Sequence, residues 1–389
     1  MKIIVSAVSL LASLCYAEAS LLRAAIATDD PPIPTIIDLS QDIPRDEAAI
    51  SSSPGAKAVQ EAAAENSFLR NVMVIENGSI VSSYHRDDVD LNETRFVFSV
   101  AKGWESLLFG IMVDDGLLSL DTTLGEIFPN DGAWADVTDG STDFRKGVTV
   151  EELLTMTSGL ISPAGFDLGG DSLEEALSFP EIGVKGKWSY LMVSMIPSYI
   201  IKERTGMTPR QYLAEHVMGK LGISEDEYHW DQNADGVELG GTGMHLTPMQ
   251  MAKFGQLYLQ GGRTSPSNDE RVISEEWIDA TFTHHSTTDF TNFPHRTPQN
   301  ADGQPYGYLF GIVEYPSSTV YCASGDSDNG HFICVDRGLG RVAIALRDDF
   351  LEPSMARTLI DLVFGKSLSF LAPNGGLSGI GSTVESRAE

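Results

Sequence analysis

The sequence predicts an α/β chain of two lobes, one built on a sheet and one mostly helical. Three observations carry that expectation. β-rich runs stand near the start of the chain, around Asn77-Gly78, and return from about Tyr306 onward. A series of helix-start signals fills the stretch between them. A single long apolar helix is expected at the junction, directly after the early strands. Strands from both ends joining one sheet, with helices between, give a sheet lobe plus a helical lobe. A cleft between two lobes is a usual place for a small-molecule site.

The elements follow in order. Met1 to about Ala17 has one leading Lys, an apolar run and then small residues, the pattern of a secretory signal. The run is too short to span a bilayer comfortably, and no later segment of the mature chain reads as a membrane span. The chain is expected in an exported, extracellular compartment. Residues 18–65 read as an irregular leader with one Ala-rich helical stretch. Then VMVIENGSIVSSYH gives two strands about Asn77-Gly78, a strong hairpin signal. In FVFSVAKGWESLLFGIMVDDG, Trp104, Leu107, Leu108, Ile111 and Met112 recur at helical spacing and Gly116 ends the run. Ser99 thus falls at a helix N-terminus beside a buried face.

Capping boxes then recur: Thr149 with Glu152, Ser172 with Glu175, Thr208 with Gln211, and Thr247 with Gln250. The last two carry Pro at the first helical position. YGYLFGIVEY, STVYCASG and HFICVDRGLGRVAIALRD bring the strands back, and PSMARTLIDLVFG reads as a final helix. The Gly- and Ser-rich end, 371–389, reads as a disordered tail. The main folded unit is therefore expected over 66–370, with a sheet lobe from about 66–130 and 265–370 and a helical lobe from about 131–264.

Asp plus Glu outnumber Lys plus Arg by 55 to 26, a formal charge of -29. Such a surface repels phosphates and anionic membranes, which excludes a nucleic-acid partner. Asn77-Gly78-Ser79 and Asn92-Glu93-Thr94 fit the N-glycosylation pattern, relevant only in a eukaryotic host. Cys15 falls in the expected signal. Cys322 and Cys334 flank a turn near Asp328, so a cross-strand disulfide and two separate buried thiols both stay open.

Ser99-Val100-Ala101-Lys102 carries the chemistry. On a helix, positions three apart share a face, which sets an ammonium beside a hydroxyl. A serine is a poor nucleophile until a base takes its proton, and a desolvated lysine is able to do so. The helix N-terminus also favours developing negative charge. The same serine read alone is an ordinary helix cap.

Across most of the mature chain the sequence resembles the serine β-lactamase and penicillin-binding-protein superfamily. The likeness is to the branch holding class C β-lactamases, related esterases and 6-aminohexanoate-dimer hydrolases. Six collinear segments carry it, among them FSVAKGWESLLFGIMVDDGLLSLD, VTVEELLTMTSGL and GGTGMHLTPMQMAKFGQLYLQGG. The resemblance implies a transpeptidase-like α/β (α+β) fold, an antiparallel sheet flanked by helices plus a mostly helical lobe. It implies Ser99 as nucleophile, Lys102 as its activator and Tyr190 as the phenol that shares the base's role. It sets Ala323-Ser324-Gly325 on the strand lining the site, with the backbone N–H groups of Ser99 and Asp326 as oxyanion donors. His331 is a further candidate for substrate contact. No metal or organic cofactor is implied.

Two departures narrow the substrate. Tyr190-Leu191-Met192 lacks the usual Asn two residues after the tyrosine, and Ala323 stands where a lysine is usual. Both changes remove contacts expected for β-lactams or D-alanyl peptides, so the expected substrate is a small ester or amide. A degenerate binding protein of the same fold, and a D-amino-acid peptidase or β-lactamase, are the competing readings.

Overall fold

A computed structural model describes residues 34–130, 144–160, 172–177, 184–190, 195–267, 269–289, 302–325, 330–348, 356–365 and 368–370. The expected signal peptide and C-terminal tail lie outside these residues. Helices α1 (Glu47–Ser52) and α2 (Pro54–Ala64) precede strands β1 (Leu69–Glu76), β2 (Ser79–His85) and β3 (Arg95–Phe96). Next come helices α3 (Ala101–Asp114), α4 (Leu124–Ile127), α5 (Val150–Leu154), α6 (Leu173–Leu177), α7 (Ile196–Thr205) and α8 (Pro209–His216). Strands β4 (His229–Trp230) and β5 (Met244–Leu246) lead into α9 (Pro248–Leu259) and α10 (Glu275–Thr281). The chain closes with β6 (Ser286–Thr287), β7 (Pro305–Tyr306), β8 (Gly311–Tyr315), β9 (Ser318–Gly325), β10 (His331–Asp336), β11 (Arg341–Arg347) and α11 (Ala356–Val363).

Eight strands form one antiparallel sheet in the order β2-β1-β11-β10-β9-β8-β7-β6. The two ends of the chain meet where β1 pairs with β11, as the strand-rich termini predict. The β1–β2 turn holds Asn77 and Gly78 at φ of 52 and 75, the left-handed pair that an Asn-Gly hairpin needs. Asn77 and Asn92 are both exposed.

Strand β11 is buried at every position. Its side chains alternate, with Val342, Ile344 and Leu346 in the main core and Ala343 and Ala345 in a second core on the opposite face. A sheet buried on both sides needs cover on both sides. Helices α3 and α9 supply one layer, with Trp104 tilted against Phe254 at 4.3 Å between ring centroids. Each such buried apolar side chain contributes about 1.5–3 kcal/mol. Helices α2 and α11 supply the other, through Val59, Ala63, Leu359 and Val363.

Three features depart from expectation. Residues 47–52, read as part of an irregular leader, form helix α1, which joins the expected Ala-rich helix, α2, in sealing the outer face of the sheet; the small side chains of Ala49, Ala56 and Ala63 are fully buried. The stretch read as mostly helical also contains β4 and β5, which pair with β3 into a small three-stranded sheet. Helix α3 is buried on every side from Lys102 to Met112, whereas its apolar spacing predicts one buried face.

The caps at Thr149, Thr208 and Thr247 form full capping boxes, and Ser172 accepts from the Glu175 backbone N–H. Cys322 and Cys334 sit opposite each other in the β9–β10 register and are joined by a disulfide, which decides between the two open readings. No helix among the described residues is long and apolar enough to cross a membrane.

Candidate active site

The site is built where the end of β9 meets the start of α3. Ser99 lies in a short 3-10 turn, Phe98–Val100, that feeds directly into α3. Phe98, just before it, holds φ at 52, a left-handed conformation costing a bulky residue about 1–3 kcal/mol. Packing fixes it there. Its ring stands edge-on to Phe96 at 4.4 Å and stacks on His331 at 5.3 Å. The turn is pressed against Gly325. A Cβ at that position would sit 2.3 Å from Val97 O and 3.3 Å from Ser99 N, so only glycine lets β9 pass so close.

Lys102 occupies the first turn of α3 with 4% of its surface exposed. Its Nζ donates to Ser99 Oγ at 3.3 Å and to Gly241 O at 2.9 Å. Gly241 has φ of 72, and a Cβ there would come within 2.6 Å of Nζ. That glycine is what allows backbone so near the amine.

Tyr190 reaches the serine from the opposite side. Its hydroxyl donates to Ser99 Oγ at 2.9 Å, and Lys102 Nζ stands 5.1 Å from its ring centroid. Trp188 packs between Tyr190 and Tyr306, with centroids 5.8 and 5.7 Å away, and so fixes the phenol's approach. A hydroxyl, an amine and a phenol from residues 99, 102 and 190 thus converge on one atom. That arrangement suits proton removal from Ser99 and its attack on a carbonyl.

An open cleft runs from this point, lined by Ser99, Lys102, Trp188, Tyr190, Tyr306 and Ser324. Thr288, Gln304, Leu309 and Ile312 extend it toward the edge strands. The Ser99 backbone N–H lies against Gly325, on the side where an oxyanion donor is expected. Asp326, the second expected donor, lies outside the described residues, as do Leu191 and Met192.

His331 pairs with Gly325 across the β9–β10 ladder, is 5% exposed and stacks on Phe98, and it is not among the described residues that line the cleft. Burial first, then the nearby Arg347 charge, pushes its imidazole down to about 3, which favours the neutral form.

Two site residues escaped the sequence reading. Gly241 stands in the GGTGMHL segment that the resemblance marks, but its own role depends on a long-range contact that the sequence does not display. Glu105 was visible as a lone carboxylate in the apolar run WESLLFG, three residues after Lys102. It is fully buried, and burial pushes its carboxyl up to about 7 against the opposing pull of Lys102.

The sequence profile of the beta-lactamase family matches residues 58–363. No curated protein matches the chain. Solved structures with the same fold include a putative 6-aminohexanoate-dimer hydrolase from Bacillus anthracis, 13% identical with a TM-score of 0.62, covering 85% of this chain and 88% of that one. A penicillin-binding protein homologue from Caulobacter crescentus is 14% identical with a TM-score of 0.61, covering 82% and 97%. A family VIII carboxylesterase is 17% identical with a TM-score of 0.60, covering 81% and 98%. At these identities the structures speak for the fold, and the profile speaks for descent: the chain belongs to the beta-lactamase family and is a hydrolase of that fold.

Proposed function

We propose that the protein is an exported serine hydrolase that cleaves a small uncharged ester or amide through an acyl-enzyme on Ser99. The observation that carries this reading is the double contact at one oxygen, Lys102 Nζ at 3.3 Å and Tyr190 Oη at 2.9 Å from Ser99 Oγ. In the acylation step the Tyr190–Lys102 pair takes the Ser99 proton as Oγ bonds to the carbonyl carbon. The pair returns that proton to the leaving alcohol or amine. Water then cleaves the acyl-enzyme by the reverse use of the same base. The Ser99 N–H supports the tetrahedral oxyanion.

The lining supports an uncharged substrate. Aromatic and aliphatic side chains dominate the cleft. Beyond Lys102, its one other cation among the described residues is Arg357, which is paired with Asp361 at 2.9 Å. Ala323 supplies no ammonium near Ser324.

The test is covalent labelling. A fluorophosphonate is expected to add once, at Ser99, and the adduct is expected to vanish in Ser99→Ala. A binding protein of this fold would stay unlabelled. Turnover of p-nitrophenyl esters above nitrocefin separates esterase from β-lactamase activity.

A further inference from the structure

Between Lys102 and Met112 helix α3 is enclosed by core, and only two ionisable side chains interrupt its apolar and small residues. These are Lys102 and Glu105, three positions apart and therefore on one face. Glu105 is 1% exposed, and its Oε1 has no hydrogen-bond partner among the described residues. A carboxylate buried in that way is costly unless a charge or a water answers it.

The space beside it provides both. A cavity of 20 Å³ is bounded by Lys102, Glu105 and Gly241, with room for one water. Its other walls are the apolar side chains of Phe109, Leu153, Leu154, Met156, Leu309 and Pro197. Ser198 on α7 and the Gly241 backbone are the uncharged polar groups that face the carboxylate. Among the described residues, Lys102 is the one charged group acting on it, with Tyr190 beyond. The cavity shares Lys102 and Leu309 with the open cleft but is not lined by Ser99.

We infer that Glu105 is a positioning residue for the Ser99 reaction, holding Lys102 through one water in this cavity. The inference rests on the acyl-enzyme reading above. Glu105 touches no substrate. Lys102 is the charge that answers the buried carboxylate, and the carboxylate in turn helps hold Nζ against Ser99 and Gly241.

The test is the pre-steady-state burst of p-nitrophenol from p-nitrophenyl acetate in wild type, Glu105→Gln and Glu105→Asp. Removing the carboxylate is expected to slow the burst by about tenfold or more with KM little changed, and Glu105→Asp, which keeps a carboxylate, is expected to recover most of the rate. A folded Glu105→Gln with the wild-type burst rate overturns the inference, as does a Glu105→Asp as slow as Glu105→Gln. Absence of a burst in wild type instead overturns the acyl-enzyme reading, and this inference with it. Should Glu105→Gln fail to fold, Glu105→Asp decides: a reduced burst rate at unchanged KM is expected, and the wild-type rate refutes the coupling.

Discussion

Two helices of this protein each bury a lysine to the same extent, and the two sites do different things. Lys102 on α3 and Lys253 on α9 are both 4% exposed. Lys253 Nζ donates to Leu221 O at 2.9 Å and stands 3.6 Å from the exposed Asp42 carboxylate. Its neighbours ask nothing of it but charge and a hydrogen bond, and it ties α9 to the turn after α8. Lys102 faces a hydroxyl, a phenol ring, a carbonyl and a buried carboxylate. Burial alone is therefore a poor sign of catalysis. What distinguishes the amine proposed as catalytic is a hydroxyl within reach, Ser99 Oγ at 3.3 Å, that also accepts from a phenol.

The comparison breaks most sharply under substitution of the two amines. Lys102→Ala is expected to lower the Ser99 acylation rate by about 10²–10⁴-fold while the protein stays folded. Lys253→Met is expected to leave that rate within about twofold and to cost about 1–3 kcal/mol of stability, from the Leu221 carbonyl left unpaired. Burst kinetics and urea midpoints on both variants read the contrast. If the two substitutions slowed acylation alike, the distinction would be false.

Tyr190→Phe sharpens the division of labour inside the site. It is expected to slow acylation by about 10–10²-fold, less than loss of Lys102, because the ring and its packing on Trp188 remain. A loss below about twofold would assign the base role to Lys102 alone.

Gly325→Ala probes the scaffold under the nucleophile. With Val97 O only 2.3 Å from the new Cβ, β9 and the Ser99 turn must part. About 1–3 kcal/mol of stability should be lost, together with roughly tenfold in kcat/KM. The same change at Gly338 on the β10–β11 turn, where Asp336 Oδ1 is the nearest atom at 3.3 Å, should leave activity intact.

The smallest effect concerns His331. Its imidazole is held near 3 in the fold, below its ordinary 6.5. Between those values the unfolded chain binds the extra proton, so folding stability rises with pH through this window and is lost as pH falls below 6.5. The slope is up to about 1.4 kcal/mol per pH unit. His331→Gln is expected to flatten the acid limb of the stability curve while sparing acylation at neutral pH. An unchanged acid limb would show that other groups govern it.

Much of this architecture was legible in local chemistry. The Asn77-Gly78 turn, the Thr-capped helix starts and the Ser99–Lys102 spacing are all decided within a few residues, so the sequence displays them. Long-range features were not. Helix α1 looks like leader because its six residues bury only Ala49, too little for a periodic signal, whereas the Ala-rich α2 reads as helical in the sequence. The β3–β5–β4 sheet has strands of two or three residues, too short for alternation to register. Gly241 joins the site through a contact across the fold; Glu105 sits one turn from Lys102, but its burial is set by other elements; and sequence places His331 near the third motif without showing which face it takes.

The central claim is that Ser99 is activated by Lys102 and Tyr190 together. Intact-mass spectrometry of the rate at which a fluorophosphonate adds to wild type, Lys102→Ala, Tyr190→Phe and Lys253→Met tests it most directly. The account predicts one adduct on Ser99, formed slowly in the first two variants and at the wild-type rate in the third. Labelling of another residue, or equal rates in wild type and Lys102→Ala, would contradict it.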